Sequence, residues 1–300
     1  MRIITPHVCD QLRKTSTLST SKKIGLLGVK DDGNSSFMRG ASQAPRYIRD
    51  VFLSSSSNTF CEHGLDIEAH IRDFRDISQP DARAIIDEFI KEIVVTNKLS
   101  PLILGGDHSI SFPVVQAVSK YLSTPLVIVH FDAHPDIYPD FEGNPHSHAS
   151  PFARILENSG LCQQLISIGI RTTTPVQQTE LDKHNVQVIH AKDFPAHGRD
   201  CAALLAKYIT STTPVYISVD VDVIEPGLAP GVSHREGGGL TVRQVVDAIQ
   251  SIPGRVVAAD LVEFNPVRDV DGITGVVAAK ILKELASKII RSQHQCEGEK

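Results

Sequence analysis

Residues 126–136 read LVIVHFDAHPD, an apolar run that ends in a cluster of acidic and imidazole side chains. The first six residues are mostly β-branched or large and apolar, which is typical of a strand buried inside a sheet. Asp132, His134 and Asp136 follow at every second position, so in an extended segment their side chains leave the same face. This stretch predicts a buried strand that delivers three polar side chains together at its carboxyl end.

Similar apolar runs alternate along the chain with segments of helical periodicity. The predicted strands are 24–29, 102–104, 126–131, 165–170, 186–189, 215–219 and 256–262, and the predicted helices are 81–97, 112–122, 201–209, 241–251 and 275–290. This alternation predicts a doubly wound α/β fold, in which helices cover both faces of a mostly parallel sheet.

The length of 300 residues and the hydrophobic content of 41% are sufficient for one large core. No internal repeat or interdomain linker interrupts the pattern. We therefore expect a single domain over residues 23–291, with polar tails at 1–22 and 292–300. The connection 135–151 is rich in proline, glycine and histidine, and so long a connection in a compact domain usually has a function.

The charge pattern points to a small-molecule partner. The net charge is -5, and no block of lysine and arginine is interleaved with aromatic residues. The sequence also has no apolar run of about 18 residues, the length that a membrane-spanning helix needs. We expect no binding to nucleic acid and no membrane insertion.

Cysteine usage and the N-terminus bear on the compartment. Five cysteines are scattered without a Cys-x-x-Cys pair, which indicates free thiols in a reducing environment. No apolar signal core follows the start, so we expect a cytoplasmic protein. Residues 1–23 hold five basic residues, many serines and threonines and one acid, Asp10. That composition fits a polar tail or a transit segment, and the mitochondrial matrix is the alternative compartment.

Six potential metal ligands follow three of the predicted strands: His108, Asp132, His134, Asp136, Asp220 and Asp222. Because the carboxyl ends of parallel strands meet at the edge where open α/β sheets bind ligands, we expect these side chains to form one site. Four carboxylates and two imidazoles suit two divalent ions such as Mn²⁺, whose charge would offset that of the carboxylates. Two such ions would lower the pKa of a shared water and supply hydroxide at neutral pH, which indicates a hydrolase.

Neighbouring polar residues have local structural interpretations as well. A single aspartate after a strand, Asp220 for example, is often a helix cap or an Asx turn. His130 lies in phase with Asp132 but inside the strand, and we interpret it as a core histidine. Asp107 either orients a metal ligand or caps the helix that begins near Ser109.

The combined motifs resemble the ureohydrolase family of arginases and agmatinases. They are GGDHS at 105–109, DAHPD at 132–136, DVD at 220–222 with Pro226 after it, and EFNP at 263–266. NSSF at 34–37, SHAS at 147–150 and APGVSH at 229–234 are similar to the plant-type arginases in particular. The resemblance runs from about residue 25 to residue 290. It implies a three-layer α/β/α fold with about eight strands, a trimer or hexamer, and hydrolysis of a guanidinium group to urea and an amine.

The resemblance also implies roles for the site residues. One Mn²⁺ would be held by His108, Asp132, Asp136 and Asp220, and the other by Asp132, His134, Asp220 and Asp222. Asp136 would accept and return a proton. Glu263 matches the carboxylate that binds the guanidinium group through paired hydrogen bonds. His148 matches a proton-shuttle histidine, whereas its neighbour His146 is expected to be an exposed loop residue.

Substrate choice depends on residues away from the metals. Tyr138 and 172–174 stand where animal arginases carry residues that grip the amino-acid head group, and 231–235 differs from the GTGTP usual in agmatinases. L-Arginine is the expected substrate, and agmatine or another guanidino compound is the alternative. The expected substrate contacts, besides Glu263 and His148, are Tyr138, Asn144, Ser147 and His234. Asn144, Ser147 and Arg235 would donate to a carboxylate, and Asp140 or Glu142 would bind the second ammonium of agmatine.

Two further classes compete with this interpretation. A metallophosphoesterase also uses Asp-x-His and two metals, but the Gly-Asn-His segment typical of that class is missing from the sequence. A metal-stabilised scaffold without activity is the other alternative. A degenerate enzyme should lose its ligands or acid first, and all of these residues are present here.

Overall fold

The computed structural model describes residues 22–78 and 82–297, and its centre is an eight-stranded sheet. The strands are β1 (Ile24–Lys30), β2 (Ile71–Ser78), β3 (Ser100–Leu104), β4 (Leu126–Phe131), β5 (Cys162–Ile170), β6 (Gln187–His190), β7 (Pro214–Asp220) and β8 (Arg255–Val262). Their order across the sheet is β2-β1-β3-β8-β7-β4-β5-β6, and every neighbouring pair is parallel. The prediction of a mostly parallel sheet of about eight strands is confirmed.

Helices follow most of the strands. They are α1 (Ala44–Phe52), α2 (Ile67–His70), α3 (Ala82–Lys91), α4 (Ser111–Leu122), α5 (Pro151–Leu156), α6 (Pro175–Lys183), α7 (Cys201–Leu205), α8 (Val242–Ser251) and α9 (Ile273–Glu297). Helix α3 continues into a π-helical turn at Glu92–Thr96. Thr174 and Thr241 begin α6 and α8 with capping boxes, in which threonine and glutamine satisfy each other's backbone N–H groups.

The helices form a layer on each face of the sheet, so the molecule has the predicted three-layer arrangement. On one face α1, α7, α8 and α9 pack on alternate strand residues such as Leu102 and Leu104. On the other face α3, α4 and α5 pack on intervening residues such as Ile103 and Ile128. Both faces of the central strands are buried, which explains why their sequences are almost continuously apolar.

Strand β2 is the strand that the sequence pattern missed, and helices α1, α2, α5 and α6 were not predicted either. Its sequence, IRDFRDIS, carries four charged residues, and most of its side chains are exposed or half-buried. It lies at the edge of the sheet beside β1. Charged residues are common on edge strands because they discourage pairing with other chains, and they weaken the apolar signal.

The C-terminal helix is longer than its predicted span of 275–290. It runs from Ile273 to Glu297, so the tail predicted at 292–300 begins inside the helix. Ser292 is buried and donates to the carbonyl of Val256, and the amide of Gln293 donates to the hydroxyl of Ser100. The last turns of the helix are held by polar side chains and not by apolar residues at helical spacing. The helix predicted from that spacing therefore ended at residue 290. The predicted N-terminal tail lies, apart from Lys22, outside the described residues.

Cys61, Cys162 and Cys201 lie within the described residues, and all three are buried free thiols. Burial raises the pKa of the Cys162 and Cys201 thiols to about 12, which makes them unreactive. Among the helices of the described ranges, none combines the length and apolarity that crossing a membrane would need.

Candidate metal centre and active site

The predicted polar side chains meet at one edge of the sheet because four adjacent strands end there. Strands β3, β8, β7 and β4 are consecutive in the sheet order. His108 follows β3, Glu263 follows β8, Asp220 ends β7, and Asp132 follows β4. The topology therefore brings together residues that are separated by as many as 155 positions in the sequence, such as His108 and Glu263.

A first group of potential ligands surrounds the imidazole of His108. Its Nδ1 atom lies 3.0 Å from Asp136 Oδ2, 3.2 Å from Asp132 Oδ2 and 3.4 Å from Asp220 Oδ2. The donor atoms of these four residues lie within 4.8 Å of one another, and all four residues are buried. This group could hold one metal ion.

A second group lies beside the first and shares Asp132 with it. His134 Nδ1 is 3.0 Å from Asp222 Oδ2 and 3.4 Å from Asp132 Oδ1. Asp132 thus directs one carboxylate oxygen to each group. Asp220 directs Oδ2 to the first group, while its Oδ1 accepts from the backbone N–H of Asp222.

The groups are electrostatically unbalanced without cations. Burial and the neighbouring carboxylates of Asp222 and Asp132 raise the pKa of Asp220 well above its ordinary value. Burial lowers the pKa of His134, but the carboxylates of Asp222 and Asp132 outweigh this effect and raise it to about 12. The protein alone therefore retains protons at positions that a cation would neutralise.

The donor set fits divalent ions. His108 Nδ1 is buried and, among the described residues, has no hydrogen-bond partner of acceptable geometry, although three carboxylate oxygens surround it. A bare imidazole nitrogen among carboxylate oxygens suits a metal such as Mn²⁺ better than it suits the protein alone. The arrangement can therefore hold metal and activate water.

His148 and Glu263 form an ion pair next to the two groups. His148 Nδ1 lies 2.9 Å from Glu263 Oε1, which also accepts from the backbone N–H of His108 at 2.9 Å. Burial lowers the pKa of His148, but the carboxylate of Glu263 outweighs burial and raises it to about 9. Burial raises the pKa of Glu263, but His148 outweighs burial and lowers it.

The backbone is strained where two of these side chains turn inward. Asp136 has φ 46° and Glu263 has φ 63°, both in the left-handed region. For a residue other than glycine such a conformation costs about 1–3 kcal/mol, and it is found most often at functional sites. The turn at Glu263 directs its carboxylate from the end of β8 toward His108 and His148.

His130 and Asp107 support the site from the protein side. His130 is fully buried, as predicted for a core residue, but its Nε2 lies 2.8 Å from Asp132 Oδ2. Asp107 accepts from the backbone N–H of Ser109 and so caps the short helix there, as predicted. Asp107 also accepts from the backbone N–H of Asn34, which fixes the loop beside the site. The contact of His130 with Asp132 was not predicted from the sequence. It could have been, because the two residues are two positions apart and their side chains therefore leave the strand on the same face.

A small cavity of about 20 Å³ opens between the two groups and the ion pair. It is lined by His134, Asp136, His148, Asp220, Asp222, Val232, Ser233, His234 and Glu263. The centre of the His234 ring lies 5.2 Å from that of His148 and 6.1 Å from that of His134. The ring of the exposed Phe37 also packs against His234, with 5.7 Å between the ring centres. The opening is narrow, and a ligand that reaches Glu263 there would have to displace His148, which lies 2.9 Å from its carboxylate.

Several predicted substrate contacts are engaged with protein groups instead. The hydroxyl of Tyr138 is hydrogen-bonded to Thr174, the amide of Asn144 to Asn34, and the hydroxyl of Ser147 to the N–H of Ala149. None of these three side chains is among the described residues that line the cavity. His234 does line it.

The charged residues predicted for the substrate head group are also engaged elsewhere. Arg235 is exposed and donates to the carbonyls of Pro230 and Arg268. Asp140 is exposed and accepts from the N–H of Gly143, and Glu142 and His146 are exposed as well.

The comparisons with known proteins agree with this geometry. The family model described as "Arginase family" matches residues 22–287. The chain is 43% identical over 277 residues to "Arginase 1, mitochondrial" of Oryza sativa subsp. indica, covering 88% of this chain and 81% of the relative. It is 31% identical over 272 residues to an agmatinase of Bacillus cereus, covering 88% of this chain and 90% of the relative.

A solved structure titled "Arginase from Medicago truncatula" superimposes with a TM-score of 0.80 at 37% identity, covering 94% of this chain and 92% of that one. The sheet order, the six clustered potential ligands and the family match lead to one conclusion. The chain belongs to the arginase family.

Proposed function

We propose that the protein is a binuclear manganese hydrolase that converts L-arginine and water to L-ornithine and urea. The observation that carries this proposal is that two groups of potential metal ligands and the buried carboxylate of Glu263 lie at the same edge of the sheet. The family relationship supports the reaction class, because the rice relative is named an arginase.

His108, Asp132, Asp136 and Asp220 would hold one Mn²⁺ ion, and Asp132, His134, Asp220 and Asp222 the other. The shared position of Asp132 supports a bridging role for its carboxylate. Asp220 would bridge after a small rotation that frees Oδ1 from the N–H of Asp222. Two ions held here would supply hydroxide at neutral pH by lowering the pKa of a water molecule.

Glu263 would bind the substrate guanidinium. A carboxylate accepts paired, charge-assisted hydrogen bonds from a planar guanidinium group, and this fixes the carbon that is to be attacked. Because the N–H of His108 holds Oε1 of Glu263 in place, the carboxylate needs no rearrangement when substrate arrives. His148 must give up its contact with Glu263 to make room.

Two residues would transfer protons during hydrolysis. Asp136 lines the cavity and would accept a proton from the attacking water and return it to the leaving nitrogen as the C–N bond breaks. His148 lies between Glu263 and Ser36, whose hydroxyl at the surface is 2.9 Å from its Nε2. This position suits a relay between the site and bulk water.

L-Arginine and agmatine are the two candidate substrates, and both carry a guanidinium group. L-Arginine is favoured because identity to the rice arginase is 43%, against 31% to the Bacillus cereus agmatinase. His234 is the predicted head-group residue that lines the cavity. Tyr138, Asn144 and Ser147 would reach the substrate only after their present hydrogen bonds open.

The compartment is proposed to be the cytoplasm, with the mitochondrial matrix as the alternative. The rice relative is named mitochondrial, and residues 1–21, which would carry a transit segment, lie outside the described ranges. Fractionation of cells that express the full chain, with sequencing of its N-terminus, distinguishes a retained tail from a cleaved leader.

The protein is proposed to be a homo-oligomer, a trimer or hexamer. Tyr47, Val270, Ile273 and Val276 form an apolar patch at the start of α9, and each is at least 36% exposed. Tyr47 packs against this end of α9 near Gly275. We expect Val276→Glu to dissociate the assembly, because a charge would be buried in the interface. Light scattering during gel filtration measures this, and a monomeric wild-type protein would contradict it.

Substrate assignment is tested by urea release. We expect the manganese-loaded protein to release urea from L-arginine with a higher kcat/KM than from agmatine or a shorter guanidino acid. Asp222→Asn, which removes a ligand, is the matched control and should lose most of the activity. A preference for agmatine would select the alternative substrate, and negligible rates with all three guanidines would reject a ureohydrolase. Phosphate release from an aryl phosphate would indicate a metallophosphoesterase instead.

Metal binding should release protons and become tighter as pH rises. His134, with its pKa raised to about 12, is protonated in the metal-free protein at pH 7. This histidine must lose a proton to bind metal, so the expected release is at least one proton per chain, and affinity increases with pH. Calorimetric Mn²⁺ titrations in buffers of different ionisation enthalpy measure this number, and identical heats in all buffers would contradict it.

Replacing His148 should slow turnover more than it weakens substrate binding. We expect His148→Asn to lower kcat by about 10²-fold, the usual contribution of a proton-transfer group, with a smaller change in KM. His146→Asn, a change of the exposed histidine two positions away, is the matched control and should retain wild-type kinetics. Full turnover by His148→Asn would remove this residue from the mechanism.

A further inference from the structure

A buried carboxylate that the proposed mechanism does not use lies beneath the metal-binding groups. Asp260 is in the middle of β8 and is fully buried. Its two oxygens accept hydrogen bonds from the hydroxyls of Ser111, Tyr216 and Ser218, each at 2.6 Å. An acidic side chain in a core strand is costly unless it is fully hydrogen-bonded, and these three donors meet that requirement.

Ser218 connects Asp260 to His108. Ser218 and Asp260 are direct partners in the register of β7 and β8, so their side chains meet on the same face of the sheet. The hydroxyl of Ser218 donates to Asp260 Oδ1, and its oxygen lies 2.9 Å from His108 Nε2. Since the hydroxyl hydrogen is directed at Asp260, the serine oxygen is left to accept, and Nε2 of His108 carries the proton.

This tautomer leaves the other nitrogen of His108 bare. Nδ1 faces Asp136 Oδ2 at 3.0 Å and Asp132 Oδ2 at 3.2 Å, and it has no hydrogen-bond partner of acceptable geometry among the described residues. In the opposite tautomer Nδ1 would carry the proton and direct it into the space between those carboxylates. That proton would stand on the nitrogen that the first metal ion needs.

We propose that Asp260 and Ser218 are positioning residues for the first metal ion. Through the hydrogen-bonded chain Asp260–Ser218–His108 they hold His108 in the tautomer and orientation that present Nδ1 to the metal. The inference rests on the proposed binuclear function. It deepens that function by assigning two residues that touch neither substrate nor metal.

The effect should be confined to one of the two ions. The chain of hydrogen bonds ends on His108, which belongs to the first group, whereas the second group has its own histidine, His134. Loss of a partner that orients a metal-bound histidine typically lowers metal affinity by 10- to 100-fold. A general loss of packing would instead weaken both ions together.

The test compares Ser218→Ala with Tyr216→Phe in the full-length protein. Ser218→Ala removes the hydroxyl that joins Asp260 to His108. Tyr216→Phe, the matched control, removes a different hydroxyl from the same carboxylate and leaves that link in place. Mn²⁺ titrations of the metal-free proteins by calorimetry give the two dissociation constants, and thermal unfolding of the same samples shows that each variant is folded.

We expect Ser218→Ala to weaken one Mn²⁺ ion by roughly 10- to 100-fold and to leave the other unchanged, while Tyr216→Phe binds both ions like the wild type. Ser218→Thr, which keeps a hydroxyl, should restore most of the lost affinity. Wild-type affinity for both ions in Ser218→Ala, or an equal loss in Tyr216→Phe, would overturn the inference. If wild-type protein itself binds fewer than two Mn²⁺ ions, the proposed binuclear site fails instead.

Discussion

The site depends on like charges that the fold holds close together. The carboxylates of Asp132, Asp136, Asp220 and Asp222 are buried at the ends of strands whose positions are fixed by sheet hydrogen bonds. Two such charges 4 Å apart repel by about 4 kcal/mol at the effective dielectric of a protein. The strands cannot separate to relieve this repulsion, so either protons or cations must neutralise the carboxylates. The raised pKa of Asp220 means that its carboxylate can be neutralised by a proton. A bound divalent cation would neutralise the carboxylates in place of protons.

Backbone N–H groups hold the carboxylates in place before any metal arrives. One oxygen each of Asp132, Asp220 and Asp222 accepts from the N–H of His134, Asp222 and Ala133 respectively. The other oxygen faces a histidine nitrogen of the site. An aspartate after a strand can either form a local turn or bind a metal. In these three residues one carboxylate oxygen forms the turn and the other is directed to where a metal would bind. The turn orients the carboxylate that the metal would use.

The sequence predicted the central strands and the clustering of six potential metal ligands because both signals are short-range. Apolar runs mark strands that are buried on both faces, and a spacing of two places side chains on one face. The exposed strand β2 was missed because two Arg-Asp pairs separate its apolar residues. Asp260 was missed for a different reason: its partners Ser111, Tyr216 and Ser218 lie 149, 44 and 42 residues away. No local pattern identifies a hydrogen-bond network that the sheet order alone assembles.

The substrate side of the site is built differently from the metal side. Glu263 is fixed by the backbone of His108, but its other partner, His148, is held by the loop around residues 34–36, whose carbonyl at Asn34 accepts from the His148 N–H. His234 stands on the loop at 231–239, and the exposed ring of Phe37 packs against it. Because His148 occupies the carboxylate of Glu263, a guanidine that binds there would have to move this loop residue while the strand ends stay in place. Loops are also the segments that change most readily between relatives. The clustered carboxylates and imidazoles at the strand ends could therefore stay the same in relatives that act on different guanidino substrates, and the loop side chains around them would decide the selectivity.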